Sequence, residues 1–221
     1  MTSLLKATVL ISGTGSNLQA LIDARDSGRL ELDINHVISN VPDAPGLARA
    51  EQAGIRTSGL PHGGLADRDE FDQALALLIA AASPDLVVLA GFMRLIGPPV
   101  LAPFEGKMIN LHPSLLPLYR GTDTYQRAID AGDREHGASI HFVTAELDGG
   151  PVISQVRIPI RAEDDAQTLA ARLSPREHEL VVATVEFFTR HTVESGDGQV
   201  FVDGKEQTRP LRLQTGGQLA A

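Results

Sequence analysis

The sequence predicts an α/β fold, with a Rossmann-like parallel N-terminal half continuing into a mixed sheet with flanking helices. Two observations predict it. Short apolar runs rich in Val, Ile and Leu alternate with longer segments whose apolar residues recur at spacings of three and four. Such strand–helix–strand repetition calls for parallel strands joined by crossover helices. The 221 residues, 43% of them hydrophobic, suffice for one compact unit with a continuous core.

Taken in order, Ala7–Ser12, Ile34–Ser39 and Leu86–Ala90 read as buried strands. Asn17–Ser27, Ala44–Ala53 and Asp67–Ala82 read as the helices between them, with Gly54 as a C-cap of the second and Pro84 following the third. Together they form a mononucleotide-binding half over residues 1–95. Beyond it, Lys107–Leu111 is a short strand entering a loop marked by Pro113, Pro117 and Gly121. Asp123–Ala131 is helical. Ala138–Val143 and Pro151–Pro159 are strands separated by the turn-rich Glu146–Gly150. Ala166–Arg190 has helical spacing, and Pro175 inside it predicts a kink or two helices. Gly196–Gly204 resembles a hairpin, and Thr215–Ala221 reads as a frayed tail.

The absence of cysteine excludes disulfides, thiolate metal sites and thiol nucleophiles, and fits a cytoplasmic home. No basic patch followed by a long apolar stretch opens the chain, so secretion is not expected. The longest apolar runs are strand-sized, far short of a membrane span. A net charge of −9 repels nucleic-acid backbones, so an anionic ligand needs a local device to hold it.

Ser12–Asn17, Ser-Gly-Thr-Gly-Ser-Asn, supplies such a device between the first strand and the first helix. Its glycines permit a sharp turn, Ser16 and Asn17 are able to cap the helix, and free amides at a helix start favour a phosphate. It is neither a P-loop nor a dinucleotide fingerprint, since Leu18 holds the third glycine position. Standing alone, it reads equally as a tight strand–helix turn. Its place at the carboxyl end of the first strand favours ligand binding.

Asn110 and His112 fall on one face of the predicted strand, and Pro113 and Pro117 stiffen the loop after it. Both side chains donate hydrogen bonds, and His112 carries a proton at accessible pH, which suits an oxyanion or acid–base site. Asp148, in Leu-Asp-Gly-Gly-Pro, is a candidate third member that would orient the imidazole and favour its protonated form. By itself it is an ordinary Asp-Gly turn residue. His141, in a strand pattern, reads as structural. His36, His62, His136, His178 and His191 lack metal-like spacings, so no catalytic metal is expected. No Gly-x-Ser-x-Gly elbow supports serine hydrolase chemistry.

In order along the chain stand Ile11–Leu18, Val88–Arg94, Asn110–Pro117, His141–Val143 and Leu147–Ile153. Through these five motifs the chain resembles the phosphoribosylglycinamide formyltransferases, folate-dependent enzymes of purine synthesis, from Leu5 to about Phe188. The resemblance implies a single formyltransferase-type domain over 1–190, with a phosphate-binding half at 1–95 and a catalytic, folate-binding half at 96–190. Residues 191–221 would form a C-terminal hairpin and flexible tail. It implies transfer of the formyl group of 10-formyltetrahydrofolate, the co-substrate, to the amine of glycinamide ribonucleotide.

By the same resemblance, Asn110, His112 and Asp148 match the catalytic trio. Gly15, Ser16 and Asn17 would hold the ribonucleotide phosphate, and Glu177 the ribose hydroxyls. Folate contacts would come from Arg68, Met93, Arg94, Leu95 and Ile96, with Asn110 and the loop Thr144, Ala145, Glu146, Leu147 and Asp148 at the pterin. Asp123 and Tyr125 stand where family members often carry histidines, Arg120 where proline is frequent, and Ser174 where glutamine is. The implied partners are small molecules, with no nucleic acid, membrane or metal, and the chain would be a monomer or homodimer. Formyltetrahydrofolate hydrolases and other amine formyltransferases share the trio. The former usually carry an N-terminal regulatory domain and a tRNA enzyme a basic C-terminal extension, neither of which is expected here. A silent nucleotide-binding domain of the same architecture is the reading from another class.

Overall fold

A computed structural model describes residues 4–61 and 67–221. The chain packs as two compact units, Met1–Asn110 and Leu111–Ala221, the division falling inside a strand.

The first unit holds five parallel strands: β1 (Leu5–Ile11), β2 (Leu32–Ser39), β3 (Thr57–Gly59), β4 (Leu86–Leu89) and β5 (Met108–His112), whose last two residues belong to the second unit. Their order is β3-β2-β1-β4-β5, every pairing parallel. Between them run α1 (Ser16–Asp26), α2 (Pro45–Gln52), α3 (Arg68–Ala82) and the short α4 (Pro98–Leu101). Ala7–Ile11 and Leu86–Leu89 are continuously buried because apolar side chains cover the sheet, among them Leu18 and Leu21 of α1 and Phe71, Leu75 and Ile79 of α3. Asp67 caps α3, its carboxylate accepting the Glu70 amide at 2.9 Å. The chain runs outward from β1 to β3, then returns to place β4 on the other side of β1. That reversal opens a crevice at the carboxyl ends of β1 and β4.

In the second unit, α5 (Thr124–Asp130) precedes an antiparallel pair, β6 (Glu135–Phe142) and β7 (Val152–Pro159). α6 (Ala166–Arg190) follows as a single helix containing Pro175, where the sequence left a break open. Its start is fixed by a capping box between Asp165 and Thr168. The hairpin window is a three-stranded antiparallel sheet of β8 (Val193–Gly196), β9 (Gln199–Val202) and β10 (Lys205–Gln207). β11 (Leu211–Leu213) pairs parallel with β7, and within the segment expected to fray, Thr215–Ala221, β12 (Leu219–Ala220) pairs with β11. Leu211 and Leu213 are buried, which gives those strands a reason to stay. Among the described residues no helix is long and apolar enough to cross a membrane.

Candidate active site

In the first unit the glycine loop lies at the crevice. A cavity of about 220 Å³ is lined by Ser12–Asn17 from the end of β1 and by Ala90, Gly91 and Met93 after β4. Gly15 adopts φ 71°, the left-handed region. A methyl there would come within 2.8 Å of the Gly46 Cα, so both glycines are needed for the loop to meet α2. The Gly46 amide donates to the Gly13 carbonyl at 3.0 Å, and Arg49 Nε donates to the Thr14 carbonyl at 2.8 Å. Ser12 Oγ accepts the Met93 amide at 2.7 Å and donates to Asn40 Oδ1 at 2.5 Å, tying the two lips together.

The expected capping role is not met. Gly15 is the N-cap, Ser16 the first helical residue, and no side chain caps α1. The first-turn amides therefore have no capping side chain competing for them, which suits an anion better than a capped turn would. Asn17 Oδ1 is buried without a hydrogen-bond partner.

The same unit gathers Arg68, Met93, Arg94, Leu95 and Ile96. Met93 and Leu95 are 80% and 52% exposed, unusual for apolar residues beside a core strand. Arg94 lies over the Phe71 ring, 3.8 Å from its centre, and Arg68 Nη2 donates to the Leu95 carbonyl at 3.4 Å. Asn110, half-buried, closes this unit two residues before His112 on β5.

The second unit brings His112 and Asp148 together, with Nδ1 3.4 Å from Oδ2. His141, read from the sequence as structural, is the second imidazole on this carboxylate, its Nε2 3.6 Å from Oδ1. The Gly121 amide donates to Oδ2 at 2.9 Å. Asp148 sits at φ 46°, and a methyl on Gly150 would overlap the Phe142 carbonyl, so the Gly-Gly turn lets the loop fold down onto β6. Burial opposes the Asp148 charge, yet His141, the Gly121 amide and His112 together hold its carboxyl below the ordinary range. His112 Nε2 lies 3.0 Å from the Tyr119 carbonyl, so both ring nitrogens face acceptors.

Burial pulls the His112 imidazole below its ordinary value, against the Tyr119 carbonyl and Asp148. Burial thus works against the standing imidazolium expected from Asp148. Protonation would satisfy the second acceptor, which makes the ring a receptive proton carrier.

Glu177 is held by Tyr125, whose hydroxyl donates to Oε1 at 3.3 Å, and burial pushes the Glu177 carboxyl up to about 7. Of the loop Thr144–Leu147, all four residues are exposed, and Glu146 pairs with Arg120. Asp123 adopts φ 59° at the start of α5, and Ser174 lies 3.5 Å from His178 Nε2. No group of three or more His, Asp or Glu side chains is arranged to hold a metal among the described residues. His62 lies outside them.

Two buried imidazoles on one carboxylate are an arrangement able to carry acid–base chemistry. Residues 5–185 match the formyl transferase family. The chain belongs to the formyl transferase family. It is 43% identical to the phosphoribosylglycinamide formyltransferase of Escherichia coli (strain K12) over 89% of this chain and 93% of that one. The Haemophilus influenzae phosphoribosylglycinamide formyltransferase is 42% identical over 90% and 94%. The structure of a phosphoribosylglycinamide formyltransferase from Coxiella burnetii superposes with a TM-score of 0.87, at 45% identity, covering 92% of this chain and 96% of that one. As a formyl transferase, this chain has its one-carbon chemistry set by the family, and its own residues decide how the reaction is run.

Proposed function

We propose that this chain transfers the formyl group of 10-formyltetrahydrofolate to the primary amine of glycinamide ribonucleotide, giving N-formylglycinamide ribonucleotide and tetrahydrofolate. The observation that carries the reading is the buried Asp148 carboxylate between His112 and His141, in a chain of this family. The amine attacks the formyl carbon, and a tetrahedral oxyanion forms. The Asn110 amide donates to that oxygen. His112, neutral at rest, takes the amine proton as attack proceeds, and the imidazolium is stabilised by Asp148. The same proton then goes to the departing folate nitrogen as the carbon–nitrogen bond breaks. To reach the reacting atoms, His112 Nε2 exchanges the Tyr119 carbonyl for substrate. No covalent enzyme intermediate is required, in keeping with a chain that has no cysteine.

The ribonucleotide phosphate binds at the amides of Gly15, Ser16 and Asn17, and its ribose hydroxyls at Glu177. Folate lies against Arg68 and Met93–Ile96, with its pterin at Asn110 and the loop Thr144–Asp148. The exposed apolar side chains Met93, Leu95 and Leu147 support the folate assignment. Small-molecule substrates and a cytoplasmic setting belong to the same reading, supported by the acidic, cysteine-free composition.

The deciding experiment is formyl transfer with purified protein, followed by absorbance of the deformylated folate, with and without glycinamide ribonucleotide. Turnover dependent on the ribonucleotide is the expected result. Turnover without it would replace the proposal with a hydrolase, and no turnover in either arm would reject both.

A further inference from the structure

Asp72, on the inner face of α3, is a fully buried carboxylate that the reaction does not use. The charged and polar groups found beside it, Arg94, Gly97, Arg68 and Asp69, come from the loop after β4 and from its own helix. Arg94 Nε is 3.8 Å from Oδ1, and Arg68 Nε is 3.8 Å from Oδ2. The Gly97 amide is near enough to favour its charge, yet neither carboxylate oxygen has a hydrogen-bond partner among the described residues. Gly97 carries no side chain because Asp72 Oδ2 occupies that space. An ion pair buried this deeply is a poor device for stability, since apolar residues of the same volume serve at least as well. What it supplies is geometry.

The Arg94 guanidinium is held between Asp72 and the face of Phe71, and its side chain is only 14% exposed. With Arg94 fixed inward, its neighbours Met93 and Leu95 turn to solvent. Arg68, steered by the same carboxylate, caps the Leu95 carbonyl. The loop is thus held at a side chain, a carbonyl and a glycine, with Asp72 behind all three.

We propose that Asp72 is a positioning residue for the folate-binding loop, holding Arg94 and Arg68 so that Met93 and Leu95 stand out as an apolar edge for the flat folate. The proposal rests on the assignment of this loop to folate. Three variants test it: Asp72→Asn, Arg94→Gln and the double variant. Asp72→Asn is expected to raise the KM for 10-formyltetrahydrofolate about tenfold, while kcat and the KM for the ribonucleotide change less than about twofold. In the Arg94→Gln background the same substitution should add clearly less than it does in the wild type, because only the Arg68 arm of its route remains.

An unchanged folate KM in Asp72→Asn overturns the proposal. So does an equal effect with and without Arg94. A purely structural role would lower the melting temperature and the active fraction without moving KM. Should Asp72→Asn fail to fold, the double variant is compared with Arg94→Gln: little further rise in the folate KM supports the proposal, and a further tenfold rise overturns it. Calorimetric titration with tetrahydrofolate separates this inference from the transfer reaction. If the wild type binds folate but transfers nothing, the functional reading fails, and weaker binding by Asp72→Asn still supports the positioning role. If the wild type binds no folate, both fall.

Discussion

Asp148 is asked to stay ionised at a site that burial makes hostile to charge, and it does so because two imidazoles and a backbone amide are aimed at it. In the proposed mechanism the reaction depends on that balance. Asp148→Asn removes the charge that pulls the His112 imidazole upward, so proton transfer loses its stabilised carrier. Turnover should fall by at least about 10², the usual weight of a positioned acid–base group, with the ribonucleotide KM little changed. The residual activity should show its acidic limb at lower pH, because the His112 pKa falls further. Near-normal steady-state turnover would remove Asp148 from the mechanism. His141 is the neighbour that sequence reading left aside. Its Nδ1 lies 2.9 Å from the Phe142 carbonyl, so the ring is fixed with Nε2 toward Asp148. His141→Gln should therefore lower turnover about tenfold while the protein stays folded by circular dichroism. Turnover equal to wild type would return His141 to a packing role. The sequence concealed it because Ile-His-Phe-Val reads as any buried strand. Its partner Asp148 lies seven residues on, around a turn whose left-handed conformation no spacing rule reveals. Asn110, His112 and Asp148 were legible through a resemblance, whereas their hydrogen-bond partners, above all the Tyr119 carbonyl, depended on the folded loop.

At the scale of elements, the glycine loop is a junction of three pieces: the end of β1, the start of α1 and the start of α2. Gly15 is the point where they meet. Gly15→Ala places a methyl 2.8 Å from the Gly46 Cα and asks an L-residue to hold φ 71°, a left-handed conformation that costs about 1–2 kcal/mol. The loop should open, raising the ribonucleotide KM about tenfold and leaving the folate KM within twofold. Equal effects on both constants, measured by steady-state kinetics, would argue against a phosphate role for the loop. The long apolar-patterned elements were readable because burial on both faces of β1 and β4, and on one face of α3, leaves periodic traces. β3 was not, since Thr57-Ser58-Gly59 owes its strand character to pairing with β2 and has no apolar pattern. β11 and β12 escaped because strands of three and two residues are too short for alternation, even the Leu-Arg-Leu of β11, to stand out.

For the whole molecule, the buried Glu177 ties stability to pH. Burial raises its carboxyl to about 7 in the folded chain, with the Tyr125 hydroxyl opposing, from an ordinary value of 4.5. Between those values the folded state binds a proton that the unfolded state has released. The stabilisation is fully present below about pH 4.5 and is lost as pH rises through about 7, at up to about 1.4 kcal/mol per pH unit. His36, His112, His136 and His178 work in the opposite sense, each lowered by burial, so that folding gains as pH rises through their ordinary range. A single stability curve would blend these contributions. The comparison of wild type with Glu177→Gln separates them, because the amide keeps the shape of the side chain and cannot ionise. Urea unfolding at pH 4.5, 6 and 8 should find the variant gaining on the wild type by on the order of 3 kcal/mol across the series. A difference that stays constant with pH would mean that Glu177 ionises as freely as an exposed carboxylate. Tyr125→Phe should enlarge the pH dependence, since it removes the hydroxyl that favours the charged form. It would therefore tie Tyr125 to the pH range in which the Glu177 carboxylate ionises.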